Sequence, residues 1–256
     1  MNIVVVGGRG LVGRNIVDRL RAQGHDVTAA SRATGVDVIT GAGLDRCLAG
    51  AEVVIDVSNS PTFDDLAAFE FFKTAAVHLL DAEARAGVKH HLSLSIVGTH
   101  RLAALGSDYL RGKALQDRLI RESGIPFTIV HATQFYEFLV AIVTSAVRDQ
   151  TVYLPPAYIQ PVASDEVAAL MARLAVDAPL NGSIEIAGPE RERMSQLIRR
   201  FVTDIEAPSD VIANEQAPYF GATLDELTLV PQDDAHIGGV GFQAWWQQSE
   251  FARVGW

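Results

Sequence analysis

Hydrophobic positions along the chain fall into short blocks whose period changes from block to block. Asn2–Val6 is an unbroken apolar run closed by glycine, the pattern of a strand buried on both faces. Leu11–Ala22 then places Leu11, Val12, Ile16, Val17 and Leu20 at helical spacing. Asp26–Ala30 reads as a second strand, residues 36–39 as a third, Leu44–Leu48 as a short helix and residues 52–57 as a fourth strand. A long amphipathic helix is predicted over 63–86, with Leu66, Phe69, Phe72, Ala76 and Leu79 on one face and Gly87 ending it. Residues 88–97 and 126–131 are further strands, separated by a helix over 107–123.

Six strands joined by helical crossovers predict an α/β fold, a doubly wound parallel sheet of the Rossmann type. Beyond residue 131 the pattern loosens. Residues 135–147 look helical, 151–156 and 158–163 extended, and 164–176 helical behind a capping serine, Ser164. Gly182–Ala187 reads as a returning strand and 194–205 as a helix, while 207–236 is mixed. No repeat or linker separates two independent domains. The expectation is one domain over 1–256, with a core of about 1–133 plus a returning strand near 182–188. A small C-terminal substrate lobe would be built from about 134–165 and 190–256.

Composition narrows the class. With 21 basic and 31 acidic side chains among 256 residues the formal charge is −10, which argues against a nucleic-acid partner, since such proteins carry a basic footprint. No apolar run approaches the ~18 residues of a membrane span. The only cysteine, Cys47, excludes an intramolecular disulfide and a multi-cysteine zinc site, and the start lacks the basic and long apolar regions of a signal peptide. A soluble, cytoplasmic protein acting on a small molecule is expected. Whether it pairs with itself or with another protein is not readable.

The segment Gly7, Gly8, Arg9, Gly10, Leu11, Val12, Gly13 follows the first strand and opens the first helix. Glycines at this spacing permit a tight turn, close approach of a pyrophosphate and close packing of helix on strand, and the helix start presents free amides to phosphate. The second strand ends in Ala30, Ser31 and Arg32, with no carboxylate to hold a ribose 2′-hydroxyl. Arg9 and Arg32 are placed to flank a 2′-phosphate, with a hydrogen bond from Ser31, so NADPH is expected over NADH.

Taken with these residues, the stretches 56–60 (DVSNS), 94–98 (LSIVG), 109–113 (YLRGK), 131–138 (HATQFYEF), 160–167 (QPVASDEV) and 187–190 (AGPE) resemble the atypical short-chain dehydrogenase/reductases, in particular the NmrA-like NAD(P)-binding reductases. The resemblance implies that Asp37 contacts adenine and that Val57, Ser58 and Asn59 run past the adenosine ribose. Tyr109 and Lys113, four apart on a predicted helix, share a face. In the family this arrangement lets the lysine hold the nicotinamide ribose and lower the tyrosine pKa, so that the phenol exchanges a proton with substrate. Ser95, at the carboxyl end of the fifth predicted strand, would orient substrate oxygen, with Ser93 the less favoured substitute.

The resemblance also puts Gln134, Phe135, Tyr136 and Phe138 over nicotinamide and substrate, although aromatics at helical spacing read equally as core. His131 stands where relatives carry arginine. His90 and His91 lack partners at metal-ligand spacing, and no metal is expected. Trp245, Trp246 and Trp256 read as packing for the lobe or an interface. The leading expectation is an NADPH-dependent oxidoreductase transferring hydride to a small carbonyl, quinone or conjugated substrate. The alternatives are a redox sensor that binds dinucleotide without turnover and a nucleotide-sugar epimerase.

Overall fold

The computed structural model of the protein describes residues 1–62, 65–104, 107–205, 210–232 and 234–249. Its first half runs β1 (Asn2–Val6), α1 (Leu11–Ala22), β2 (Asp26–Ala30), α2 (Leu44–Leu48), β3 (Val53–Asp56), α3 (Asp65–Ala86), β4 (His90–Ile96), α4 (Thr99–Ala103), α5 (Asp108–Glu122) and β5 (Phe127–Ala132). The second half adds α6 (Leu139–Ala146), β6 (Val147–Arg148), β7 (Thr151–Leu154), β8 (Tyr158–Ile159), α7 (Ser164–Leu174), β9 (Gly182–Ala187), β10 (Glu192–Arg193), α8 (Met194–Asp204), β11 (Asp210–Ala213), β12 (His236–Ile237) and α9 (Phe242–Gln248).

Among the described residues, seven strands form one sheet in the order β12-β9-β5-β4-β3-β1-β2, the doubly wound α/β arrangement. β1 lies between β2 and β3, parallel to both, with Ile3 beside Val27 on one side and Val53 on the other. That placement explains its composition. A strand covered on both faces has no polar side, and Ile3, Val4 and Val5 are fully buried.

The chain forms two compact units. The first comprises Met1–Ser95, Asp108–His131 and Asp165–Ile184. Val4, Val6, Leu44, Leu48, Val54, Ala75, Leu79 and Val88 gather in one of its core clusters. Residues 36–39, expected as a strand, are instead a loop in this unit. Gly35, Gly41 and Gly43 all adopt left-handed φ values of 74° to 79°, a Cβ on Gly43 would overlap the Gly35 carbonyl, and the Asp37 amide bonds Ala42 O at 2.9 Å. Val36 and Val38 are buried because the loop tucks them into the core cluster, so their hydrophobicity reports anchoring and not strand pairing.

Helix α3 begins at Asp65, and the two residues before it in the expected 63–86 helix lie outside the described residues. Phe72, Ala76 and Leu79 face the core as expected, but Leu66 is 67% exposed and belongs to the solvent side. Gly87, with φ of 70°, ends the helix. α3 packs closely on α5 because Gly112 has no side chain: a Cβ there would come within 3.0 Å of the Phe72 ring and 3.1 Å of the Phe69 Cα.

The second unit comprises Ile96–Ser107, Ala132–Ser164 and Glu185–Trp256. The helix expected over 135–147 resolves into a short 3-10 turn, Tyr136–Phe138, followed by α6, and Val147 starts a strand. Tyr136 stacks on Trp245 at 5.2 Å and tilts against Phe242 at 6.0 Å, while Trp246 meets Phe201 edge-on at 5.9 Å. Two of the three tryptophans therefore pack this unit, and Trp256 lies outside the described residues. Ser164 turns its hydroxyl to Glu137 Oε1 at 2.7 Å, and the same carboxylate accepts the Trp245 indole N–H. The expected segment 207–236 contains β11 and starts β12, with 206–209 and 233 outside the described residues. Among the described residues, no helix is long and apolar enough to cross a membrane.

Candidate active site

The site is built in the first unit, at the carboxyl ends of β1, β3 and β4, where ligands bind in open α/β sheets. The glycine loop turns from β1 into α1 with Gly7 at φ 80°, its N–H on Ala30 O. Three of its glycines are dictated by the protein's own packing. A Cβ on Gly7 would lie 2.8 Å from Val57 O, one on Gly8 would lie 2.8 Å from Val5 O, and one on Gly13 would overlap Gly7 O. Gly10 differs. Its φ of −77° and ψ of −178° suit any residue, and a Cβ there would meet only Gly7 O, at 3.3 Å.

The first bond of α1 after the loop runs from the Arg14 N–H to Gly10 O. The amides of Leu11, Val12 and Gly13 stand ahead of it, the group that a helix start leaves for an external acceptor. Among the described residues, no side chain caps this helix. Beside the loop, Ser58 Oγ is buried with no hydrogen-bond partner among the described residues. An open helix start, a glycine that packing does not demand and an orphaned hydroxyl together fit a dinucleotide phosphate and ribose.

Arg9 and Arg32 are exposed, and neither forms an ion pair among the described residues. Arg32 opens a short 3-10 turn in which Thr34 Oγ1 accepts the Ser31 N–H at 2.9 Å. Asp37 is half-buried and its carboxylate accepts the Ile39 N–H at 2.8 Å. The Val57 N–H bonds Val6 O, Asp56 Oδ1 accepts the Ser58 N–H, and Asn59 is exposed.

Tyr109 and Lys113 project from one face of α5 onto the same ring. Tyr109 meets Phe72 edge-on at 5.1 Å, and Lys113 Nζ sits 4.8 Å over that ring. The tyrosine hydroxyl donates to Asn59 Oδ1 at 2.8 Å. Burial pushes the phenol up to about 12, against which the Asn59 bond acts. The family resemblance implied a lysine that lowers this pKa. In the structure the ammonium is instead turned to Leu94 O at 2.7 Å and Gln116 Oε1 at 2.6 Å. Burial lowers the Lys113 pKa, with Asp117 and Asp56 pulling it back up.

Ser95 and Ser93 are both buried on β4, and Ser93 Oγ has no partner among the described residues. His131 Nε2 bonds the buried Asp117 Oδ2 at 2.8 Å. His90 bonds Thr128 Oγ1, and His91 Nδ1 lies 2.9 Å from both oxygens of Glu83. Sequence reasoning missed this buried layer. Its one readable sign was Gln116 at three residues from Lys113, a helical neighbour, together with a carboxylate, Asp56, closing an otherwise apolar strand.

In the second unit, Tyr136 is 1% exposed among Phe242 and Trp245. Gln134 O accepts the Val162 N–H, and Phe135 and Phe138 lie 5.7 Å apart with Phe138 exposed. These residues share one segment but not one environment.

Comparison with known proteins agrees with this geometry. The sequence model of the NAD(P)H-binding family matches residues 7–177. A relative, (4-alkanoyl-5-oxo-2,5-dihydrofuran-3-yl)methyl phosphate reductase of Streptomyces griseus, is 31% identical over 219 residues, covering 77% of this chain and 73% of its own. Among solved structures, a short-chain dehydrogenase/reductase superfamily protein of Agrobacterium tumefaciens with bound NAD aligns with a TM-score of 0.71 at 16% identity, over 99% of this chain and 97% of that one. An NADPH-dependent quinone oxidoreductase of Escherichia coli aligns at 0.61 and 17% identity, over 83% and 78%. The glycine loop, the sheet order and these matches converge: the chain belongs to the NAD(P)H-binding family.

Proposed function

We propose that the protein is a cytoplasmic, NADPH-dependent reductase of a small carbonyl, quinone or conjugated organic substrate. The observation that carries this reading is the pairing of Tyr109 and Lys113 on one face of α5, both against the Phe72 ring. A reduction needs a proton donor, and the phenol is one, although burial pushes it up to about 12, away from the neutral range in which a general acid works best, so bound cofactor and substrate must bring it down. A bound dinucleotide supplies the hydride. The amides of Leu11, Val12 and Gly13 hold its pyrophosphate, Asp37, Val57, Ser58 and Asn59 line its adenosine half, and Lys113 anchors the nicotinamide ribose.

Arg9, Arg32 and Ser31 take the 2′-phosphate, for which two exposed arginines without carboxylate partners among the described residues are suited. Ser95 orients the substrate oxygen, and Tyr109 delivers the proton once its hydroxyl leaves Asn59. Gln134, Phe135, Tyr136 and Phe138 are the proposed substrate segment, with Tyr136 acting as its packed base. The relative's name describes an alkanoyl group on an oxo-dihydrofuran ring, a conjugated carbonyl, which supports that substrate class.

The test follows NADPH oxidation across quinones, enones, aldehydes and triaryl dyes, with wild type and Tyr109→Phe compared on every acceptor turned over. Loss of the phenol is expected to reduce kcat by about 10²- to 10⁴-fold, the usual worth of a positioned acid. Turnover unaffected by the substitution would remove Tyr109 from the chemistry.

A further inference from the structure

Lys113 is 4% exposed and carries an ammonium, and among the described residues no carboxylate oxygen bonds that ammonium directly. A buried charge needs compensation nearby. The compensation arrives through Gln116, itself 1% exposed, whose Oε1 accepts from Nζ at 2.6 Å while its Nε2 donates to Asp56 Oδ2 at 2.8 Å. Asp56, 2% exposed, accepts the Ser58 N–H on its other oxygen at 2.9 Å.

A carboxamide between an ammonium and a carboxylate has one workable orientation. Flipped, it would set its NH₂ against the ammonium and its carbonyl against the carboxylate. Gln116 is thus a connector of fixed polarity. It spans from the end of β3, where Asp56 grips the Val57–Ser58–Asn59 segment, to the lysine on α5. The Leu94 carbonyl occupies a second N–H of the ammonium, which leaves the third for a ligand hydroxyl.

We propose that Asp56 and Gln116 are positioning residues that aim the Lys113 ammonium and tie it to the backbone running along the cofactor. This rests on the role given to Lys113 above. Without the Gln116 carbonyl, the ammonium loses one of two fixed acceptors and the lysine regains rotamers. Without the Asp56 charge, the same amide can turn over, and its hold on Nζ fails.

Burial already lowers the Lys113 pKa, and the opposing groups are Asp117 on its own helix and Asp56 on β3. The other ionisable groups of this layer are Glu83 on α3 with His91 on β4, His131 on β5 and Tyr109 on α5. Removing the Asp56 charge leaves burial less opposed. The alkaline limb of cofactor binding therefore moves to lower pH.

The experiment uses the full chain and measures NADPH affinity by calorimetry over a pH series, with 1,4-benzoquinone turnover and thermal melting alongside. Asp56→Asn and Gln116→Met conserve volume. Each is expected to weaken NADPH by about tenfold or more, as for a lost hydrogen bond to a charged group, and to pull the alkaline limb down. Because the two act in series, the double variant should be no weaker than the worse single one. Gln116→Glu covers the case in which methionine does not fold: it keeps an oxygen on Nζ but turns a second against Asp56, so affinity should recover as pH falls.

Folded variants that bind NADPH like wild type with an unmoved limb overturn the proposal, as do fully additive effects. Lys113→Met separates the two layers of the argument. If it loses affinity while Asp56→Asn and Gln116→Met do not, the connector is wrong and the lysine's role stands. If Lys113→Met binds normally, the lysine's role fails first and the connector with it.

Discussion

Gly10 and Gly13 sit three residues apart in one loop, yet different forces hold them. At Gly13 any side chain would run into the Gly7 carbonyl, so the constraint is the packing of α1 on β1. At Gly10 the backbone is ordinary and a built Cβ would stand 3.3 Å from the Gly7 carbonyl, a tight contact that a shift of a few tenths of an ångström relieves, so the proposed constraint is a phosphate approaching the backbone. Two alanine substitutions therefore separate folding from binding. Gly13→Ala should destabilise the fold by about 1–3 kcal/mol, the usual cost of forcing atoms into a packed site, as read by urea melting. Gly10→Ala should leave the urea midpoint near wild type while NADPH affinity, measured by calorimetry, falls by tenfold or more, roughly one lost charge-assisted contact. A Gly10→Ala chain that binds normally would show that nothing approaches that glycine. The spacing of these glycines was legible from residue order alone, but their division into packing and ligand-facing positions required the folded path of the loop, which brings the Gly7 carbonyl against Gly13 and only near Gly10.

Between elements, the adjacent pair His90 and His91 on β4 shows what pattern reading can and cannot reach. Alternation along a strand already placed the two rings on opposite faces, and strands β1, β2 and β9 were legible to the residue because glycine or a polar break closes each apolar run. What each ring meets was not legible. Thr128 lies on β5, 38 positions from His90, and Glu83 lies on α3 across the turn at Gly87. The residue 36–42 loop failed for the converse reason, since two anchored valines imitate a strand until the left-handed glycines are seen. The partners give the two histidines opposite titrations. Burial, with the neighbouring His91 charge, lowers His90 to about 4. Burial also opposes a charge on His91, but contact and hydrogen bonding with Glu83, and the charge of Asp56, outweigh it and hold His91 above its usual 6.5. His90 therefore withdraws stability as pH falls from about 6.5 towards 4, because only the unfolded chain takes up that proton. His91 contributes fully below 6.5, and its contribution is lost as pH rises through its raised folded value. Thermal midpoints should peak near pH 6.5, with His90→Gln flattening the acid limb and the double variant Glu83→Gln/His91→Gln the alkaline one. Limbs that stay put in these variants would assign the pH dependence elsewhere. Glu83→Ala alone should cost about 1–3 kcal/mol, since it leaves the buried His91 ring, now neutral, without its hydrogen-bond partner.

At the scale of the whole molecule, a chain of formal charge −10 is proposed to prefer the more anionic of two dinucleotides. Distance decides whether two arginines can achieve that. Per unit of ligand charge, the rest of the chain, 19 − 31 = −12 once Arg9 and Arg32 are set apart, averaged roughly 20 Å away acts with a strength of about 12/20, against about 2/4 for two guanidinium groups near 4 Å, so without salt the two nearly cancel. Screening breaks the tie. At about 0.01 M salt the Debye length of ~30 Å leaves roughly half of the distant repulsion, while at ~0.15 M the length of ~8 Å leaves about a tenth of it and more than half of the contact attraction. Near 1 M, at ~3 Å, the contact weakens as well. The ratio of NADPH to NADH affinity, followed by calorimetry against ionic strength, should therefore rise between about 0.01 and 0.15 M and fall again towards 1 M. An ordinary exposed ion pair on a neutral protein would give only the fall. In Arg9→Ala/Arg32→Ala only the distant repulsion remains, so the preference should disappear and the ratio should climb towards unity as salt screens it. Equal wild-type affinity for the two dinucleotides at every salt concentration would defeat the assignment of Arg9 and Arg32. A ratio that only falls with salt would keep the arginines and discard the long-range repulsion.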